Sequence, residues 1–167
     1  VAYSDKNELN GRYVDTSKDN FINSLSISCY SFTRIAKIFQ PIINSGGSLV
    51  TLSFHGANKV MPNYNVMGVA KAALETSVKY LSVDLGDQDV RVNAISAGPM
   101  RTLAGAAIAN ARDVFNYTSE NSSLKRNVNL DELGNSALYL VSDLSSAITG
   151  EIHYVDCGFN IVGMPKS

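Results

Sequence analysis

Between Asn23 and Phe39 the apolar residues Leu25, Ile27, Cys29, Phe32, Ile35, Ala36 and Phe39 recur largely at three- and four-residue steps, and Pro41 follows. That spacing predicts an amphipathic helix with a stop just beyond it. Gly46-Gly47 then introduces Ser48 to Ser53, a short apolar run expected to be a buried parallel strand. After Pro62, an apolar stripe of Val66, Ala70, Ala73, Leu74, Val78, Leu81 and Leu85 predicts a long helix from Tyr64 to about Leu85, ending at Gly86-Asp87. Val90 to Ile95 alternates and is rich in valine, which predicts a second strand. Ala97-Gly98-Pro99-Met100 reads as a turn, and Leu103 to Ala111 is alanine-rich, with helix propensity but little bulk to anchor it. Asp131-Glu132 opens a helix through Leu138, Leu140 and Val141, and Ile152 to Val155 closes the series as a third strand.

Strands alternating with helices imply right-handed crossovers and a parallel sheet, hence an α/β, doubly wound, Rossmann-like fold. No strand is followed by a glycine-rich turn and helix, the cradle a dinucleotide phosphate needs, so the N-terminal part of the fold is expected to be missing from this chain.

Composition narrows the field. With 45% hydrophobic and 17% charged residues the chain can bury a single core. A net charge of -1 gives no electrostatic reason to expect nucleic acid. No apolar run reaches membrane-spanning length and no signal-peptide order opens the chain, so a cytoplasmic protein is expected. Cys29 and Cys157 read as buried free thiols, and His55 and His153 lack partners at metal-ligand spacing, so no metal is expected. Arg91 is expected to snorkel or pair at a strand edge, Asn93 and Asn135 to satisfy backbone groups, and Thr118 to Asn121 to form a solvated loop.

Tyr64 and Lys71 lie seven residues apart, which returns to within about 20° of the same helix face and lets both side chains address one cleft. A phenol donates a proton or strong hydrogen bond best where positive charge makes its anion cheaper, and a lysine can supply that charge or hold a cofactor ribose. The spacing alone is weak, because Tyr30 and Lys37 share it. Tyr64 differs in opening its helix just beyond a strand, where ligands gather in doubly wound folds.

The wording around the pair is more specific. Pro62-Asn63-Tyr64-Asn65-Val66-Met67-Gly68-Val69-Ala70-Lys71-Ala72 and Arg91-Val92-Asn93-Ala94-Ile95-Ser96-Ala97-Gly98-Pro99-Met100-Arg101-Thr102-Leu103-Ala104 closely resemble the enoyl-acyl carrier protein reductases of bacterial fatty acid synthesis. Ser142-Asp143-Leu144-Ser145 and the run from Gly150 to Phe159 resemble the same family, a branch of the short-chain dehydrogenase/reductase superfamily. The resemblance implies that residues 1–167 are the C-terminal two-thirds of one Rossmann-like reductase domain, with 103–125 a mobile substrate lid. It implies NADH-dependent reduction of the trans-2 double bond of enoyl thioesters on acyl carrier protein, by a homotetrameric enzyme. In that reading Tyr64 hydrogen-bonds the thioester oxygen as an enolate develops, and Lys71 binds the nicotinamide ribose. Val1, Met100, Arg101, Thr102, Leu103 and Ala104 would line the cofactor, and Ser4, Phe54 and Met67 the acyl substrate.

One departure stands out. Many members carry a second tyrosine ten residues before the catalytic one, where this chain has Phe54. Two alternatives remain open: a 3-oxoacyl or other carbonyl reductase of the superfamily, and a non-catalytic truncated homologue. The first resembles Tyr-x3-Lys with a serine thirteen residues upstream of the tyrosine, whereas position 68 is Gly and position 51 is Thr.

Overall fold

Three strands, β1 (Ser48–Phe54), β2 (Arg91–Ala97) and β3 (Ile152–Val155), form one parallel sheet in the order β1-β2-β3. The computed structural model describes residues 2–102 and 111–164. Register is continuous across the sheet, so that Ser53, Ser96 and Tyr154 lie in one cross-strand row near its carboxyl end. β2 is central and buried for six of its seven residues, as its valine-rich pattern requires. β1 departs from the expectation of a buried strand: only Ser53 is buried and Leu52 is 57% exposed, because β1 is an edge strand among the described residues.

The helices are α1 (Lys18–Leu25), α2 (Ser31–Phe39), α3 (Asn65–Asp84), α4 (Ala111–Asn121) and α5 (Leu130–Val141). α1 and α2 are joined by a π turn, Ser26–Tyr30, into one rod that starts earlier than the apolar spacing predicts. Ser17 caps its start by accepting a hydrogen bond from the Asn20 backbone N–H at 3.2 Å. The polar run Lys18 to Asn20 hides that beginning from a reading based on apolar periodicity. The π turn carries a buried Ser28, whose hydroxyl bonds both the N–H and the carbonyl of Tyr3, at 2.8 and 2.9 Å.

α3 buries Val66, Met67, Ala70, Lys71, Leu74, Glu75, Val78, Leu81 and Ser82, a continuous stripe at helical spacing. Val78, Leu81 and Leu85 pack with Ala36, Val90, Val92 and Ala94 into the main core. Each fully buried aliphatic side chain there contributes about 1.5–3 kcal/mol. α3 ends where expected, but the left-handed residue that turns the chain into β2 is Asp89 (φ 57°), not Gly86.

Arg91 corrects its expectation. It opens the central strand, is buried, and donates to the carbonyls of Leu140 (2.8 Å), Ser145 (3.1 Å) and Ser142 (3.2 Å) and to the Ser145 hydroxyl (2.6 Å). The carboxyl end of α5 presents orphan carbonyls and the negative end of its dipole, which a guanidinium fork satisfies. Arg91→Met is expected to lower the unfolding free energy by about 3 kcal/mol, because several charge-assisted bonds vanish and carbonyls stay buried. A urea titration would read this as a lower midpoint at unchanged slope.

Three further expectations change. Thr118 to Asn121 is the last part of α4, with Thr118 buried. Cys29 and Cys157 are half-buried, not buried. Asn135 is exposed on α5. Asn93 behaves as expected, donating to Ile148 O at 2.9 Å and accepting from Glu151 N at 3.0 Å. No helix among the described residues is long and apolar enough to cross a membrane.

Candidate active site

The carboxyl end of β1 leads through a 3-10 turn, His55–Ala57, and a loop to Tyr64, the residue that caps α3. Asn63 (φ 57°) and Asn65 (φ 35°) flank it in left-handed conformations. Each such non-glycine residue costs about 1–3 kcal/mol, and asparagine is among the side chains that tolerate it best. The Asn65 amide helps hold that geometry, donating to the carbonyls of Leu9 (2.9 Å) and Gly11 (3.3 Å).

Tyr64 is only 7% exposed. Its ring packs edge-on against Phe54, with centroids 5.0 Å apart, within a cluster that contains Leu9, Val66 and Met67. Thus Tyr64, Phe54 and Met67 are brought together. Leu9, which the sequence offers no reason to single out, closes the cluster from the N-terminal loop. Burial holds the Tyr64 phenol well above its usual pKa, so it is protonated across the physiological range and can donate a hydrogen bond.

Glycine is required beneath the ring. A Cβ at Gly56 would collide with the Tyr64 ring, lying 2.8 Å from Cε1, and a Cβ at Gly68 would lie 2.7 Å from the Gly56 carbonyl oxygen. No side chain fits at position 68 without moving backbone. Gly56→Ala is expected to displace the ring and lower turnover of the full-length protein about tenfold, since misplacing a reacting group by about 1 Å costs up to about 10²-fold. Steady-state kinetics beside a thermal melt would separate this loss from unfolding.

Lys71 lies two turns along α3, 7% exposed, and its ammonium donates to the Leu52 carbonyl at 2.7 Å. Burial lowers its pKa, an effect that Cys29 and Glu75 nearby partly offset. The rival pair is surface-borne, with Tyr30 59% exposed and Lys37 also exposed. The pair at 64 and 71 therefore has the enclosed surroundings that the other lacks.

The remaining site candidates are spread around this centre. Ser4 donates to Asn20 Oδ1 (3.2 Å) and accepts from the Ser24 hydroxyl (2.9 Å), while the neighbouring Tyr3 is tied to Ser28. Ser28 also reaches the Met67 sulfur at 3.7 Å, so the N-terminal segment and Met67 share one anchor. Met100 is half-buried beyond the carboxyl end of β2, and Arg101 and Thr102 are exposed. Arg101 sits over the Phe115 ring, 4.6 Å from its centroid. Val1, Leu103 and Ala104 lie outside the described residues, as does the first part of the segment 103–125 expected to be a lid. The later part of that expected lid segment contains α4.

An open cavity of about 340 Å³ touches Tyr64 and Gly68 but is walled by Tyr13, Lys59, Val60 and Met61 on the flank of α3. A second, of about 310 Å³, lies between Arg126, Glu132, Asp156 and Cys157. Neither includes Lys71, Phe54 or Met67, so neither is the cleft expected from the Tyr64 and Lys71 spacing.

The chain matches, over residues 1–160, the family described as Enoyl-(Acyl carrier protein) reductase. It is 58% identical to Enoyl-[acyl-carrier-protein] reductase [NADH] 1 of Rhizobium meliloti (strain 1021), over 98% of this chain and 60% of that protein. It is 54% identical to Enoyl-[acyl-carrier-protein] reductase [NADH] FabI of Rickettsia typhi, over 99% of this chain and 64% of the relative. Among solved structures, FabI from Candidatus Liberibacter asiaticus superposes with a TM-score of 0.96 at 57% identity, covering 99% of this chain and 64% of that one. The Anaplasma phagocytophilum reductase, solved in complex with NAD, gives a TM-score of 0.96 at 59% identity, covering 100% of this chain and 64% of that one. The chain thus spans 60% to 64% of the length of these proteins.

Proposed function

The chain belongs to the enoyl-(acyl carrier protein) reductase family, and from that premise we propose that the full-length protein reduces the trans-2 double bond of enoyl thioesters with NADH. The substrates are enoyl chains carried on acyl carrier protein, in the reductive step that completes a round of fatty acid elongation, and the enzyme works in the cytoplasm. The observation that carries this reading is the buried Tyr64 and Lys71 on one helix with glycine obligatory at position 68. A Tyr-x3-Lys carbonyl reductase would need its lysine where the Gly56 carbonyl leaves no room.

The chemistry of the donor set suits the cofactor. Lys71 has three N–H donors and Leu52 takes one, which leaves capacity for the hydroxyls of a ribose. Met100, Arg101 and Thr102 follow the carboxyl end of β2, where dinucleotides bind in parallel sheets. When bound, NADH supplies the hydride that reaches the β-carbon of the enoyl chain.

Every other contribution is the protein's. Tyr64, kept protonated by its burial, donates a hydrogen bond to the thioester oxygen and strengthens it as negative charge develops there. Phe54, edge-on to Tyr64, and Met67 form an apolar wall that holds the acyl chain and excludes water. Phe54 adds no hydroxyl, so the oxygen is served by a single phenol. Lys71 orients the ribose from its seat on Leu52. A solvent-derived proton completes the α-carbon.

We also place the enzyme as a homotetramer. Ile22, Ile35, Ile38, Phe39, Tyr80 and Val83 are all about half exposed or more on α1, α2 and α3, an apolar load that an interface would bury. Light scattering on the full-length protein reads a fourfold mass if this holds.

The function is tested by the absorbance of NADH with full-length protein. Loss dependent on crotonyl or longer enoyl thioesters supports it, and turnover of a 3-oxoacyl thioester alone overturns it.

A further inference from the structure

Glu75 is a buried carboxylate, 8% exposed, one turn beyond Lys71 on the same face of α3. A charge so placed is costly unless its oxygens are bonded and an opposite charge is near. Its oxygens are bonded. Ser53 Oγ donates to one at 2.5 Å, and Asn58 Nδ2 to the other at 3.0 Å. Asn58 is held in turn by the Tyr154 hydroxyl, 3.1 Å from Nδ2. The end of β1 and the loop after it thereby grip this one carboxylate, and the end of β3 steadies the loop through Asn58.

The strand residue that grips Glu75 directly follows the one that grips Lys71. Leu52 accepts from the Lys71 ammonium through its carbonyl, and Ser53 donates to Glu75 through its hydroxyl. Two successive turns of α3 are thus fastened to two successive residues at the carboxyl end of β1. The ammonium's acceptor on the strand is a neutral carbonyl, and Glu75 is not in ion-pair contact with it, so the carboxylate acts on the lysine through its field from the next turn of the helix.

The charged and titratable groups around the pair are few. Cys29, from the π turn, acts on Lys71, and Tyr64 lies on the same helix. His55 and Tyr154 feel the field of Glu75, and Asp156 acts on both of them. Of these, Glu75 alone is a carboxylate that both acts on Lys71 and is locked to the strand holding it.

We propose that Glu75 is a positioning residue for Lys71, its carboxylate, anchored by Ser53 and Asn58, serving as the buried counter-charge that keeps the ammonium seated on the Leu52 carbonyl. The proposal rests on the reading of Lys71 as a cofactor-binding residue. It adds that the lysine's place and charge are set from behind, by a group that touches neither cofactor nor substrate.

Glu75→Gln keeps the shape and removes the charge. In the cofactor-free full-length protein, trace acetylation across pH with mass spectrometry of the Lys71 peptide gives the midpoint at which the amine becomes reactive. Glu75→Gln is expected to lower that midpoint by about one pH unit and to weaken NADH binding, followed by NADH fluorescence, by about tenfold. Glu75→Asp, which keeps the charge, is expected to leave the midpoint within about 0.3 units of the parent. An unmoved midpoint in Glu75→Gln, with only a lower melting temperature, would make the residue a structural clamp and overturn the proposal. Should Glu75→Gln fail to fold, Ser53→Ala removes the anchor and keeps the charge. It is expected to weaken NADH binding about threefold, the worth of one modest hydrogen bond, and unchanged binding would likewise overturn the proposal. Failure of the underlying reading looks different: Lys71→Met would then bind NADH as tightly as the parent, whatever Glu75→Gln does.

Discussion

Tyr64→Phe in the full-length protein is expected to lower kcat for an enoyl thioester by about 10²- to 10³-fold while leaving NADH affinity within about twofold of the parent. The substitution removes one oxygen atom. The ring keeps its edge-on packing against Phe54 and its place over Gly56, so the fold has no reason to respond. In the proposed role, what disappears is the donor to an oxygen whose charge grows only in the transition state, and such a loss falls on kcat more than on KM. Phe54 sharpens the expectation, because no second phenol stands at that position to take over the role. A comparison of kcat, KM and NADH fluorescence titrations for the two proteins checks it. Loss of affinity with unchanged kcat would place Tyr64 in binding alone.

Lys71→Met has the complementary signature. The ammonium is buried and its stem packs along α3, so an unbranched apolar replacement fills the space. Charge-assisted hydrogen bonds are worth about 1.5–3 kcal/mol, which sets the expected rise in NADH Kd at about 10- to 150-fold. The Leu52 carbonyl loses its donor as well, and a drop in melting temperature of a few degrees should accompany the change. A calorimetric scan and a fluorescence titration distinguish the two effects. If Lys71 acts through the cofactor, as proposed, saturating NADH should restore part of the rate, whereas it should restore none in Tyr64→Phe.

Much of this centre was legible in the chain. The seven-residue spacing puts Tyr64 and Lys71 on one helix, the strand before it places that helix's start at the carboxyl end of the sheet, and both features are present. Phe54 and Met67 were legible through the family resemblance and do pack with Tyr64. The parts that were not legible depend on contacts between distant segments. Arg91 is buried because the end of α5, about fifty residues later, delivers carbonyls to it, and nothing beside Arg91 in sequence announces that. Gly56 looks like an ordinary turn glycine until the Tyr64 ring is placed against it.

Thr118 departs from its local sequence for a different reason. Ser119, Glu120 and Asn121 surround it with polarity, so the local composition favours a loop, yet the residue faces inward on α4 and is buried. Glu75 is legible only in part. A carboxylate one helical turn beyond a buried lysine is visible by counting, but its partners Ser53 and Asn58 come from a separate segment, and only their arrival makes the burial tolerable.

In the proposed reaction NADH delivers hydride to the β-carbon of an enoyl chain while Tyr64 steadies the thioester oxygen. The most direct measurement is a single turnover of the full-length protein with crotonyl thioester and NADH deuterated at C4 on the transferred face, with the product analysed by NMR and mass spectrometry. The expected product is a butyryl thioester carrying one deuterium at C3 and a solvent proton at C2. Deuterium on a carbinol carbon from a 3-oxoacyl substrate, with crotonyl thioester returned unlabelled, would contradict it.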